Sequence, residues 1–168
     1  MQEKVKYYID KLQLIPHPEG GYYREIYRAG EMILAEHLQG KYTGNRNIAT
    51  SIYFLLNEKD FSAFHRIKSD ELWHFYDGAA VKISVIDEQG KLFEIQLGKD
   101  ITGGEVFQAV IKKNCWFASE LIDKTSFALV GCTVAPGFDF QDFEMAKCDE
   151  LIKQYPQYKQ TIKRLCRK

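Results

Sequence analysis

The stretch "VKISVIDEQGKLFEIQLG" (residues 81–98) decides the fold class. Val81, Ile83 and Val85 alternate with Lys82 and Ser84, the period of a half-buried strand. The "EQG" at 88–90 turns the chain, with Gly90 at the left-handed position of a tight hairpin, and Phe93, Ile95 and Leu97 then share one face of a second strand. Outward from this hairpin, "ATSIYFLL" (49–56), "EVFQAVIKK" (105–113), "CWFASEL" (115–121) and "SFALVGCTVAPG" (126–137) are short β-branched and aromatic runs with turn signals between them. About nine or ten strands at this spacing, with no helical pattern among them, predict an all-β sandwich or barrel.

Helical periodicity is confined to the two ends. Val5, Tyr8, Ile9 and Leu12 would cover one face of a helix over 1–15, which Pro16 and Pro18 bring to a stop. Leu151, Ile152 and Tyr155, then Tyr158, Ile162 and Leu165, predict helices over 147–168, with Asp149 as N-cap and a break at Pro156. The sheet body falls between them, over 20–146, and 168 residues make a single domain that buries roughly 70% of its unfolded surface. Lysine plus arginine and aspartate plus glutamate both number 23, so no net field favours nucleic acid or an anionic membrane. No apolar run approaches the ~20 residues of a membrane span. The amino-terminal "MQEKVKYYIDKL" lacks the apolar core of a secretory signal, and a cytoplasmic protein is expected. Cys115, Cys132, Cys148 and Cys166 form no C-x-x-C pair and read as free structural thiols.

The segment "FHRIKSDELWHFYDGAAVKI" (64–83) carries His65, then Glu71, then six residues and Gly78. This resembles the first cupin motif, and "VIKKNCWFASEL" (110–121) lies where the second belongs. With "PHPEGGYYRE", "ATSIYFLL" and "VAPGFDFQDFEMA" in the same order, the chain resembles the branch known as cupin family five, a domain of unknown function. The resemblance implies a double-stranded β-helix, or cupin jelly roll, with short terminal helices, and a homodimer; exposed sheet edges, which need covering, point to association as well.

Metal-dependent cupins hold a divalent ion with three histidines and a glutamate. Matched position by position, His65 and Glu71 remain, while Ile67 and Phe117 stand at the other two histidine places and offer no lone pair. No cofactor is expected; the residues for any divalent metal would be His65, Glu71 and His74, although strand alternation turns His74 to the face opposite Glu71. A histidine titrates near neutrality, and a desolvated glutamate can orient it or act as base. The expected catalytic set is His65, Glu71 and Tyr53. The expected ligand-binding walls are Tyr23, Glu25, Trp73, Phe75, Phe117 and Phe138, with Trp116 at the rim. Such a pocket suits a small polar molecule, sugar-like or a hydroxy or keto acid. The set is similar in kind to the metal-free sugar-nucleotide epimerases of the superfamily, where the resemblance implies a histidine base and a tyrosine acid. The alternatives are a non-catalytic binding or sensing protein and a metal-dependent enzyme with an unusual ligand set.

In "YYREIYR" (22–28), alternation separates Tyr23, Glu25 and Tyr27 from Tyr22, Arg24, Ile26 and Arg28. One set should look toward the cavity or its mouth, and Tyr23 and Glu25 are assigned there; an edge strand that pairs with a partner subunit is the alternative. His17, in the preceding "PHPEGG", reads as a loop residue. Phe138, Phe140 and Phe143 read as a lid or last strand over the barrel, and "LGKDITGGE" (97–105) as a turn without phosphate-loop spacing.

Overall fold

The computed structural model describes residues 2–38, 42–58 and 60–167. In chain order the strands are β1 (Ile15–Pro16), β2 (Tyr22–Arg28), β3 (Met32–Ile33), β4 (Arg46–Asn47), β5 (Thr50–Asn57), β6 (Phe61–Arg66) and β7 (Asp70–Gly78). They continue as β8 (Val81–Ile86), β9 (Leu92–Leu97), β10 (Gln108–Ile111), β11 (Trp116–Leu121), β12 (Phe127–Ala135) and β13 (Glu144–Met145). The α-helices are α1 (Gln2–Leu12), α2 (Cys148–Gln154) and α3 (Lys159–Arg164). One antiparallel sheet runs β1-β2-β5-β12-β7-β10 and the other β13-β6-β11-β8-β9, with β3 and β4 paired separately. The two sheets face each other as a jelly roll and their ladders do not close into a barrel.

The opening hairpin is β8–β9, in register from Val81↔Leu97 to Ile86↔Leu92, and Gly90 turns it at φ 78°. Three apolar clusters follow from strand alternation. Between the sheets, Phe54 and Trp73 meet Ile83, Phe117 and Leu121. On the outer side of the five-stranded sheet, Phe64 and Trp116 pack under Leu151, Ile162 and Leu165 of the C-terminal segment. On the outer side of the six-stranded sheet, Leu55 and Leu129 take Val5 and Leu14 of the N-terminal segment.

The helix ends differ from the sequence reading. The first helix stops at Leu12 rather than at Pro16, because Gln13 turns left-handed at φ 53°. Pro16 instead pairs with Tyr22 on the edge strand β1, where a residue without an N–H is tolerated. At the other end Lys147, not Asp149, holds the N-cap position; Asp149 lies in the first turn, where its charge suits the helix dipole. The break at Pro156 is present, as a 3-10 turn over Pro156–Tyr158.

Candidate functional site

Three rows of side chains cross the inner face of the six-stranded sheet. Tyr23, Phe54, Val130 and Phe75 form one, and Glu25, Ile52, Cys132 and Trp73 the next. Arg28, Thr50, Val134 and Glu71 form the third. Simple alternation would turn Arg28 outward. A bulge at Ile26, where Glu25 pairs with Ile52 and Tyr27 already with Ser51, resets the period and brings Arg28 inward. The third row, with the inner ends of the other two, opens onto a cavity of about 460 Å³.

The loop between β1 and β2 supplies the far wall. Gly20 (φ 118°) and Gly21 (φ 70°) hold it in conformations that L side chains resist, and a Cβ on Gly20 would strike the Phe61 carbonyl. The Gly21 N–H donates to Asp60 Oδ2 at 2.7 Å, and the Ala63 N–H of β6 donates to the Glu19 carbonyl at 2.9 Å, which ties the loop to the opposite sheet. The Glu19 side chain is thereby carried into the interior. A register shift between β6 and β11 lets Ser62 and His65 both reach it. Ser62 Oγ donates to Glu19 Oε1 at 2.8 Å, and Glu19 Oε2 lies 3.2 Å from His65 Nε2 and 3.4 Å from His17 Nδ1.

The tautomers follow from these partners. His65 Nδ1 lies 2.7 Å from the Ala63 carbonyl, which can only accept, so Nδ1 carries the proton and Nε2 is bare. His17 Nδ1 accepts from the Glu19 N–H at 3.3 Å, so it too is bare in the neutral ring. One carboxyl oxygen therefore sits between two bare ring nitrogens, and a proton must be shared among them. Burial pushes Glu19 up and both imidazoles down, which places that proton on the carboxyl. Glu71 stands across the cavity; burial, reinforced by Glu19 and opposed by His65 and the Cys132 thiol, brings its carboxyl up to about 7. The site thus holds two buried carboxyls raised from their usual range and two imidazoles lowered from theirs, with Glu71 brought close to neutral pH.

Phe138, Phe140 and Phe143 close the mouth, with ring centroids 5.0–6.2 Å apart. Phe143 lies 5.3 Å from the His65 ring and Phe140 stacks 6.2 Å from His17. A buried ion pair latches this cap: Arg46 Nε donates to Asp142 Oδ2 at 2.6 Å and Nη2 to Oδ1 at 2.9 Å, with Lys68 Nζ 3.2 Å from Oδ1. Burial pushes Asp142 up, but Arg46 and Lys68 outweigh it and hold the carboxyl below its usual range.

Of the residues named from sequence, His65, Glu71, Tyr23, Glu25 and Phe138 share this cavity. The others lie elsewhere. Tyr53 has the parity of Leu55 and faces outward, 6.0 Å from Tyr76, so it cannot serve as the acid of this cavity. Trp73 and Phe117 are fully buried beneath the cavity; the Phe117 ring, 4.1 Å from His65, packs behind it. Phe75 packs against the same dry cluster. Trp116 is not at the rim but lies on the outer side of its sheet, under the C-terminal helices, with the Arg66 guanidinium 4.4 Å over its ring. His74 pairs with Gln108 and Gly131 on the face away from Glu71, so it cannot complete a ligand set with His65 and Glu71. His17, read from sequence only as a loop residue, and Glu19 and Arg28 are the polar groups that strand patterning missed. Their signal was the paired glycines of 20–21, which allow a loop to fold inward.

The residues do not fit the metal centre of metal-dependent cupins. Ile67 and Phe117 stand at two of its places, and His65 Nε2 and His17 Nδ1 are both turned to the Glu19 carboxyl rather than to a common ligand position with Glu71.

Two facing antiparallel sheets with a polar cavity at one end between them define a cupin-type jelly roll. The chain belongs to the cupin superfamily family DUF985, whose family model matches residues 6–146. It is 30% identical over 154 residues to the uncharacterized protein YML079W of Saccharomyces cerevisiae, covering 86% of this chain and 76% of that protein. A hypothetical protein from Leishmania major superposes with TM-score 0.88 at 31% identity, covering 97% of this chain and 98% of that one. Protein SO0799 from Shewanella oneidensis gives 0.85 at 38% identity, covering 96% of each. Oxalate decarboxylase from Bacillus subtilis shares the fold alone, with TM-score 0.54 at 15% identity over 89% of this chain and 36% of its own. Among the described residues no helix is long and apolar enough to cross a membrane.

Proposed function

We propose that this cupin binds a small polar molecule in the cavity and moves a proton on it, as a metal-independent isomerase or epimerase. The observation that carries the reading is the bare Nε2 of His65, held by the Nδ1–H bond to Ala63 and facing Glu19 at 3.2 Å, with Glu71 across the same space. A base and an acid that exchange protons near neutral pH are what removal and return of a proton beside a carbonyl require. His65, relayed through Glu19, takes one role and Glu71 the other. The apolar cap of Phe138, Phe140 and Phe143 shields the exchange from bulk water.

The test is exchange of carbon-bound protons with deuterated solvent, followed by NMR, across a panel of keto-sugars and hydroxycarbonyl compounds. Wild type is expected to exchange one position of at least one compound. His65→Gln and Glu71→Gln should each slow that exchange by about 10²-fold or more while remaining folded. A panel that stabilises the protein without exchange would replace this reading with that of a binding or sensing protein. The homodimer belongs to the same proposal; exposed Tyr76 and Val110 on the outer face of the six-stranded sheet support it.

A further inference from the structure

Four carboxyl groups line the cavity, Glu19, Glu25, Glu71 and Asp139, against one guanidinium, Arg28, and two imidazoles. Arg28 is already engaged. Its Nε and Nη2 donate to the two oxygens of Glu25 at 2.9 and 2.7 Å, and Nη1 donates to Asn47 Oδ1 and the Phe138 carbonyl at 2.8 and 3.1 Å. Asp139 accepts from the Gln141 N–H, and Glu19 is held by Ser62 and the imidazoles.

Glu71 is different. It is 8% exposed and aimed into the cavity; the uncharged Cys132 thiol and Trp73 indole N–H lie beside it, but among the described residues no lysine, arginine, hydroxyl or backbone amide donates to it. A buried carboxylate without a counter-charge is among the costliest groups a protein can hold. Here the space where a counter-charge would stand is left open. A ligand carboxylate or phosphate would add negative charge to this set and find its only permanent cation saturated. An ammonium group would supply the missing partner, and the faces of Phe138, Phe140 and Phe143 suit a cation as well.

We infer that the ligand of this cavity carries an ammonium group and no acidic group, with the Glu71 carboxylate as its counter-ion. This rests on the cavity being the ligand site proposed above, but not on any turnover there.

The groups facing Glu71 are His65 from β6, Glu19 from the β1–β2 loop, Cys132 from β12 and the Trp73 indole from its own strand. Burial lowers both imidazoles, which weakens their competition with an ammonium for the Glu71 carboxylate. Glu71 itself ionises near 7, so ammonium binding strengthens as pH rises through that value. Between pH 6 and pH 8 the ionised fraction grows about tenfold, and affinity should grow by about the same factor.

The experiment uses two matched sets of probes that differ only in one terminal group: glucamine, sorbitol and gluconate, and ethanolamine, ethylene glycol and glycolate. Thermal shift and isothermal titration are read at pH 6 and pH 8. The amine of each set is expected to bind at least tenfold tighter than its alcohol at pH 8, the acid not at all, and the amine's advantage should fall about tenfold at pH 6. Glu71→Gln should remove both the advantage and the pH dependence while its thermal midpoint stays at or above wild type. Equal or tighter binding of the acid or the alcohol, amines that do not bind, or an affinity indifferent to pH would overturn the inference. A failure of proton exchange leaves it standing, and tight alcohol binding accompanied by exchange would overturn it while preserving the acid–base reading.

Discussion

The space between the two sheets has two halves built by the same strands to opposite ends. In one, Trp73, Phe117, Ile83 and Leu121 exclude water and are fully buried. In the other, Glu71, His65, Glu19 and His17 surround a cavity with too few cations. The boundary falls within single strands: Glu71 and Trp73 are two residues apart on one face of β7, and His65 on β6 pairs directly with Phe117 on β11. The dry half supplies stability by burial, while the wet half keeps carboxyls whose burial costs stability. Sites of chemistry commonly sit in such locally unfavourable places, supported by a well-packed neighbour.

The contrast predicts how each half responds to substitution. The largest effect belongs to the dry half: Trp73→Ala should cost about 4 kcal/mol in urea unfolding, because the indole is 1% exposed and its loss leaves a cavity between the sheets. A cost below about 1 kcal/mol would mean that this half is not the stabilising one. At the cap, Asp142→Asn should cost about 3 kcal/mol by the same assay, since it leaves the buried Arg46 guanidinium without its carboxylate. It should also weaken binding of any cavity ligand, as the three phenylalanines lose their latch. Unchanged stability would show the latch to be ornamental.

Alternation and turn chemistry made much of this legible before any coordinates. The hairpin of β8 and β9, the separation of Tyr23 and Glu25 from Tyr22 and Arg24, and the turn of His74 away from Glu71 all follow from period two with known turn residues, while which set of the Tyr22–Arg28 strand faces inward does not. What alternation could not carry was anything that interrupts it. The bulge at Ile26 brings Arg28 inward against the count. The β1–β2 loop delivers His17 and Glu19 through hydrogen bonds to Asp60 and Ala63, some forty residues further along the chain. Trp116 follows its strand faithfully, but which side of that strand meets the cavity depends on where the C-terminal helices dock. Tyr53 has nothing in its local sequence that fixes its face, and its pairing with Gly131 and Arg24 turns it outward.

The stability of Glu71→Gln relative to wild type, measured by urea unfolding from pH 5 to pH 8, tests most directly whether the wet half holds an uncompensated carboxyl. Because burial raises Glu71 from 4.5 to about 7, its protonated form is favoured by folding. That contribution is fully present below pH 4.5 and is lost as pH rises through 7, a loss of about 3 kcal/mol. His17 and His65, whose folded values are lowered, act in the opposite direction and lose stability as pH falls below 6.5; the variant, without the Glu71 carboxylate that raises His65, loses at least as much there, so the histidines do not reduce its gain. The variant, which has no carboxyl to ionise, should therefore gain on wild type by about 2 to 3 kcal/mol between pH 5 and pH 8, since part of the loss already falls below pH 5. A difference that stays flat across that range, or a variant that becomes relatively less stable at pH 8, would contradict it.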